Sequence, residues 1–220
     1  MISPDGYRVW DLPVRLTHWL LVVLIALQYA SGQFELFGME WHMRLGQVTL
    51  ALLVFRVLWG FFGSDNARFA HFLRGPGAVW RHAATLFRRE PGSYPGHNPL
   101  GGWSIVLMFA VLLAQAVTGL FSSDDLGNAG PFADRVSEHT ARLLTRWHKK
   151  GKDVLLILIA LHLAGVGWHA WFKREALIRP MLSGRRALAA DPALRFAGLG
   201  LAAFLALLSG ALVWAAVRFL

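Results

Sequence analysis

Five stretches of the chain are nearly free of charge and dominated by leucine, valine, alanine and phenylalanine: residues 12–30, 45–62, 102–121, 154–172 and 194–219. Each has the length of a helix that crosses a hydrocarbon layer about 30 Å thick. Hydrocarbon offers backbone N–H and C=O groups no partner, so a spanning segment is a helix or part of a closed barrel. Runs this long are not barrel strands. The pattern predicts an all-α fold, an integral membrane helical bundle with five spans.

The polar stretches between the spans set an orientation. Residues 63–101 carry Arg68, Arg74, Arg81, Arg88 and Arg89, and the fourth connection carries Lys173, Arg174, Arg179, Arg185 and Arg186. Both read as cytoplasmic by the excess of positive charge, which puts the N-terminus in the cytoplasm. Residues 31–41 hold no Lys or Arg, and residues 122–147 mix Arg135, Arg142 and Arg146 with Asp124, Asp125, Asp134 and Glu138, so these face the other side. Lys149, Lys150 and Lys152, at the outer end of the fourth span, run against the bias. Residues 77–90 alternate apolar and basic positions at helical spacing, as an interfacial helix does, and an ordinary surface helix fits the same pattern. His71, His82 and His97 sit among polar neighbours here and are expected to be solvated.

Composition sharpens the class. The 220 residues are 55% hydrophobic with a mean hydropathy of +0.45, outside the usual range of a soluble domain. The net charge of +9 lies mostly beside the spans, where anionic lipid is the natural partner, so nucleic acid is not expected. The start, MISPDGYRVWDLPVR, has acidic residues and proline and no small-residue cleavage site follows the first apolar run, so the first span is expected to be retained. With no cysteine, disulfides, thiolate zinc, iron–sulfur clusters and covalently attached haem are excluded. Any redox centre must be held noncovalently by other side chains.

Ionisable residues inside spans are costly and by default mark function. His18 lies in the cytoplasmic half of the first span, and His42 begins the second from the outer side. His148 opens the fourth from the outer side, and His162 follows fourteen residues later, about 21 Å along the axis and on nearly the same face. Matching depths pairs His42 with His148 at the outer side and His18 with His162 at the cytoplasmic side. Two neutral imidazoles from opposite helices, with an apolar slot between them, are what a bis-histidine haem requires. Gly46, Gly151 and Gly165 follow three of these histidines by three or four residues and offer room for a flat ring.

Haem propionates call for cations, which Arg146, Lys149, Lys150 and Lys152 provide around the outer pair and Arg15 at the cytoplasmic pair. Snorkelling to lipid phosphates explains the same residues. His169 is a rival to His162, and His139 is expected in solvent or near a quinone pocket. No zinc motif and no catalytic residue stands out, and most of the ten tryptophans sit near span ends as interfacial anchors.

The segments VWDLPVRLTHW, WHMRLGQ, GHNPLGGWS, QAVTGLF, RWHKKG, ALHLAG and RPMLSGRR, over residues 7–186, resemble the bacterial and nickel-hydrogenase type of cytochrome b, the prokaryotic cytochrome b-561 family. The resemblance implies a four-helix core over residues 1–186 with two noncovalent b haems on His18, His42, His148 and His162. Residues 187–220 then form an additional transmembrane helix without histidine. It also implies a bacterial inner-membrane protein that exchanges electrons between the quinone pool and a redox partner: a soluble or periplasmic cytochrome, a dehydrogenase or a hydrogenase. Two other functions meet the same pattern: a quinone-linked oxidoreductase acting on a small anion such as superoxide, and a haem-free anchor subunit. The mitochondrial arrangement, with all four ligands on two helices, is not what these residues show.

Overall fold

The computed structural model describes residues 6–89, 94–124 and 127–219; Asp125 and the last residue of the 77–90 stretch, Glu90, lie outside them. Five helices are long and apolar enough to cross a membrane: α1 (Leu12–Phe34), α2 (Met39–Phe62), α5 (Pro99–Leu120), α6 (Glu138–Trp171) and α8 (Leu199–Phe219). Short helices α3 (Phe69–Phe72), α4 (Pro76–Ala83) and α7 (Ile178–Ser183) lie in the connections. The only ladder among the described residues is a two-residue antiparallel pair, β1 (Tyr7–Arg8) with β2 (Arg185–Arg186). The chain is all-α, a membrane helical bundle with the five spans that the hydropathy pattern predicts.

The fourth span differs from its prediction. α6 begins at Glu138, sixteen residues before the apolar run, so His148 lies ten residues inside the helix instead of opening it. Polar surface does not prevent helix formation where local interactions support it. Ser137 Oγ accepts from Thr140 N at 3.2 Å, a side-chain cap, and Glu138 pairs with Arg142 one turn on. At 1.5 Å per residue the 34-residue helix is about 50 Å long, more than hydrocarbon alone requires. The amphipathic stretch is also shorter than predicted: α4 ends at Ala83, with Trp80 exposed, and His82 is buried where solvation was expected.

Contacts divide the chain into two compact units, and every long helix contributes residues to both, α5 and α6 the most evenly. The first contains residues 6–16, 57–89, 94–107 and 158–202. It gathers the N-terminal segment and the two arginine-rich connections, as expected if all three lie on one side of the membrane. Asp11 holds it together: Oδ1 caps α1 by accepting from Val14 N at 2.8 Å, and Oδ2 accepts from the indole of the fully buried Trp59 at 2.9 Å. Asn66 Nδ2 donates to Val9 O at 2.9 Å. α7 ends at Gly184 in the left-handed region, φ 79°, and a Cβ there would stand 2.9 Å from Trp10 O.

The segment leading into α8 is strapped to this unit. Arg195 N donates to Asp65 Oδ2 at 2.9 Å, Asp65 N donates to Arg195 O at 3.0 Å, and Ala197 N donates to Ser64 Oγ at 3.1 Å. The backbone hydrogen bond from Arg195, helped by the nearby Arg195, His71 and Arg68 charges and opposed by burial, holds the Asp65 carboxyl below its ordinary value. The second unit contains residues 17–56, 108–124, 127–157 and 203–219. Its part of α8 buries Leu205, Ser209 and Val213 on one stripe and exposes Phe204, Leu207 and Trp214.

Because the folded Asp65 value is depressed, its stabilisation is present above the unfolded carboxylate value and is lost as pH falls through the folded one. Asp65→Asn is therefore expected to lower the Tm in detergent at neutral pH, with a cost of roughly 1 kcal/mol for weakened charge-assisted hydrogen bonds. The difference from the parent should shrink in acid. An equal Tm difference at pH 7 and below the carboxylate range would contradict this.

Candidate haem site

A cavity of about 420 Å³ opens inside the second unit, between α1, α2, α5 and α6. That volume lies within the range of cofactor pockets. Its walls are mostly apolar, with Ile25, Leu112, Ala116, Leu155 and Leu156, and two imidazoles, His42 and His148, project into it. Their ring centroids are 6.0 Å apart and their planes nearly perpendicular, at 87°. An ion bonded to one nitrogen of each ring at about 2 Å would set the centroids roughly 6 Å apart, so the spacing of the two rings is compatible with one shared metal.

Both rings are anchored in the same way by a neighbouring helix. His42 Nδ1 donates to Gln28 O of α1 at 3.1 Å, with Ser31 Oγ also at 3.1 Å. His148 Nδ1 donates to Gln115 O of α5 at 2.9 Å, with Thr118 Oγ1 at 3.4 Å. A carbonyl oxygen only accepts, so each Nδ1 carries the proton and each Nε2 keeps its lone pair for a metal. Glycines permit the approach. A Cβ on Gly32 would stand 3.0 Å from His42 Cε1, and one on Gly119 would stand 3.0 Å from His148 Cε1. Gln28 Nε2 also donates to Thr49 Oγ1 at 2.6 Å, tying α1 to α2 beside the cavity.

These contacts expose a repeat that the sequence reading passed over. QYASG, 28–32, and QAVTG, 115–119, share Q-x-x-[S/T]-G, and each faces a Trp-His pair, Trp41–His42 or Trp147–His148. The carbonyl, the hydroxyl and the bare Cα come from the first, fourth and fifth positions of each copy. Sequence reasoning placed the open patches at Gly46, Gly151 and Gly165. Gly46 and Gly32 line the cavity, Gly151 is faced by the Gln115 side chain, and Gly165 faces open space.

The other expected site residues fall in several places. Lys149 and Lys152 line the cavity, and Lys152 Nζ donates to Gln33 Oε1 at 3.1 Å and lies 3.3 Å from Asp153. Arg146 and Lys150 are exposed on α6 away from the lining. Arg15 is engaged elsewhere: its guanidinium donates to Leu182 O, within the first unit. His18 and His162 are half-buried on α1 and α6 and belong to different units. His169 is not a free rival to His162, because its Nδ1 lies 3.0 Å from Glu175 Oε2. His139 is exposed at the start of α6. His97 is half-buried between Trp10 and Phe72, with ring centroids 4.7 and 5.1 Å away, where solvation was expected.

A slot of this size, apolar and flanked by two tautomer-fixed imidazoles, suits a flat metal macrocycle, and Lys149 and Lys152 would suit carboxylates on such a ring. The family described as prokaryotic cytochrome b561 matches residues 9–184, and the chain belongs to it. Among curated proteins, it is 27% identical over 217 residues to a probable Ni/Fe-hydrogenase B-type cytochrome subunit of Rhizobium leguminosarum bv. viciae, covering 84% of this chain and 90% of that one. A protein of the same description from Bradyrhizobium diazoefficiens is 23% identical over 209 residues, covering 81% and 85%. The probable Ni/Fe-hydrogenase 1 B-type cytochrome subunit of Escherichia coli K12 is 24% identical over 142 residues, covering 52% and 59%. No solved structure matches significantly. The protein is a multi-pass membrane cytochrome whose cofactor is haem b and whose work is electron transfer. A b haem would supply a one-electron carrier, and His42 and His148 are the residues placed to hold one in this cavity.

Gly32→Val and Gly119→Val place methyl groups against the anchored rings, where a well-packed site has little room to yield. Each is expected to cut haem bound per protein, measured by pyridine haemochrome absorbance, while Gly165→Val leaves it unchanged. Full haem content in both of the first two variants would show that the close approach is not required.

Proposed function

We propose that the chain carries electrons through two bis-histidine b haems, one on His42 and His148 toward the outer surface and one on His18 and His162 toward the cytoplasm. The four-helix core of residues 1–186 holds both, and residues 187–220 add a fifth span. The N-terminus is cytoplasmic and the membrane is the bacterial inner membrane. The observation that carries this reading is the cavity between His42 and His148, with both Nδ1 atoms hydrogen-bonded away and both Nε2 lone pairs left for iron. The second pair rests on α6, which runs unbroken from His148 to His162 and can present both rings on nearly one face. Axial positions filled by two histidines favour electron transfer over oxygen binding.

The outlets are a quinone or quinol in the membrane and a protein partner at the surface. The hydrogenase cytochrome subunits among its relatives make a hydrogenase the partner of choice. A soluble or periplasmic cytochrome or another dehydrogenase fits the same conduit. Lys149 and Lys152 at the cavity are placed to neutralise the carboxylates of a haem edge.

Purified protein is expected to hold two haems per chain. His42→Ala and His148→Ala should each lose one, His18→Ala and His162→Ala should each lose the other, and the two classes should differ in reduced-minus-oxidised spectrum. Loss of both haems in every variant, or of neither, would overturn the pairing.

A further inference from the structure

A second group of buried ionisable side chains, unused by either proposed haem, lies in the first unit around the end of α6. Glu175 and His169 are both more than nine-tenths buried; His169 Nδ1 lies 3.0 Å from Glu175 Oε2, and Arg186 Nη2 lies 3.6 Å from the same oxygen. Arg186 Nη1 donates to Tyr94 O at 3.0 Å. His82, on α4, is 6% exposed, with the Tyr94 ring edge-on at 5.6 Å between centroids. Its Nε2 is fully buried and has no hydrogen-bond partner among the described residues. Between these groups is a cavity of about 20 Å³ lined by His82, Tyr94, Asn98, His169, Glu175 and Arg186.

That volume is too small for an organic ligand and large enough for one water, which needs about 10–15 Å³ and two to four polar partners. The lining offers them. A buried imidazole nitrogen left unpaired is costly, and a water in the cavity removes that cost. We propose that one water bridges His82 Nε2 to the His169–Glu175 pair, and that these side chains form a proton relay coupled to electron transfer with quinone.

The relay rests on the quinone reading above and deepens it. Reducing a quinone to a quinol takes two electrons and two protons; the haems bring electrons, one at a time, and no protons. In the relay His82 takes up a proton from bulk water on the side of the ring away from Nε2 as Nε2–H gives one to the bridging water, which passes one on to a Glu175 carboxylate oxygen. Glu175, too enclosed to touch a quinone, releases the proton through solvent to a quinone oxygen as the electron arrives. His82 and Glu175 return to their starting forms, and quinol oxidation runs the path in reverse.

The charges around His82 suit this role. Burial, then the Lys173 ammonium and His169, hold its imidazole below the ordinary histidine value, with Glu175 partly opposing them. Lys173, 3% exposed, donates to Thr85 O at 3.1 Å at the end of α4. Arg186 and Tyr94 complete the charged and titratable surroundings. A lowered value keeps His82 neutral near pH 7 and makes a proton it takes up easy to pass on. His169 follows His162 by seven residues of one helix, about 10 Å along the axis, near enough for an electron at His162 to change the relay's proton affinity by on the order of tenfold.

The test uses the haem-loaded protein in detergent, reduced and then mixed with either ferricyanide, which takes only electrons, or a water-soluble quinone, which takes electrons and protons. The parent is expected to reduce both, its quinone rate falling as pH rises. His82→Gln and Glu175→Gln should slow the quinone arm tenfold or more and flatten its pH profile, with haem content and ferricyanide rate unchanged. Parent-like quinone rates and pH profiles in both variants would overturn the relay. If the parent reduces ferricyanide but no quinone, the quinone reading fails instead. The relay is then judged by proton uptake on haem reduction, followed with an indicator dye: uptake lost in His82→Gln supports it, and uptake equal to the parent's rejects it.

Discussion

The candidate haem site depends on one hydrogen bond made twice: an imidazole Nδ1–H to a main-chain carbonyl of the neighbouring helix. A histidine in a membrane helix is costly to desolvate and has two nitrogens that differ only by where the proton sits. Giving the Nδ1 proton to Gln28 O or Gln115 O satisfies one of them, fixes the ring and leaves the other nitrogen's lone pair open to a metal. Those carbonyls lie four residues before Gly32 and Gly119, where the helix surface is bare enough for a ring to rest against it. A side chain there would push the ring away from the carbonyl that orients it.

The same solution in α1–α2 and in α5–α6 explains the composition of these spans. Hydrocarbon would accept leucine at every position, yet glutamine, serine or threonine, and glycine recur in QYASG and QAVTG. Small and hydroxylated residues let helices approach and bond across the gap where no hydrophobic force drives them together. The Gln28 amide on Thr49 Oγ1 extends the network by one step, so that the ring position is fixed by helix packing rather than by the cofactor alone. A preorganised ligand pair of this kind suits electron transfer, which is favoured when little has to move.

Much of this was legible in the sequence. Long apolar runs gave five spans because hydrocarbon permits so few backbone solutions, and His42 and His148 stood out because such residues are expensive there. What escaped was relational. Gly46 and Gly151 were chosen because they follow a histidine on its own helix, whereas the close approaches come from Gly32 and Gly119 across the gap. The repeated pentapeptide was visible in the letters, but its meaning depends on which carbonyl a ring reaches. α6 was read too short because hydropathy reports burial in lipid and not helicity, while a serine cap and a Glu138–Arg142 pair extend the helix through polar residues. His82 was read as solvated from its basic neighbours in sequence; residues 94–98 and 173–186 cover it in the fold.

The nearly perpendicular imidazoles, 87° apart, allow a direct test of the central claim that His42 and His148 ligate one iron. The measurement is the electron paramagnetic resonance spectrum of the oxidised protein at low temperature. The account predicts a low-spin ferric signal with the strong anisotropy of crossed imidazole planes, lost in His42→Ala and in His148→Ala while the signal of the second haem remains. A high-spin signal in the parent, or a low-spin spectrum unchanged by both substitutions, would contradict it.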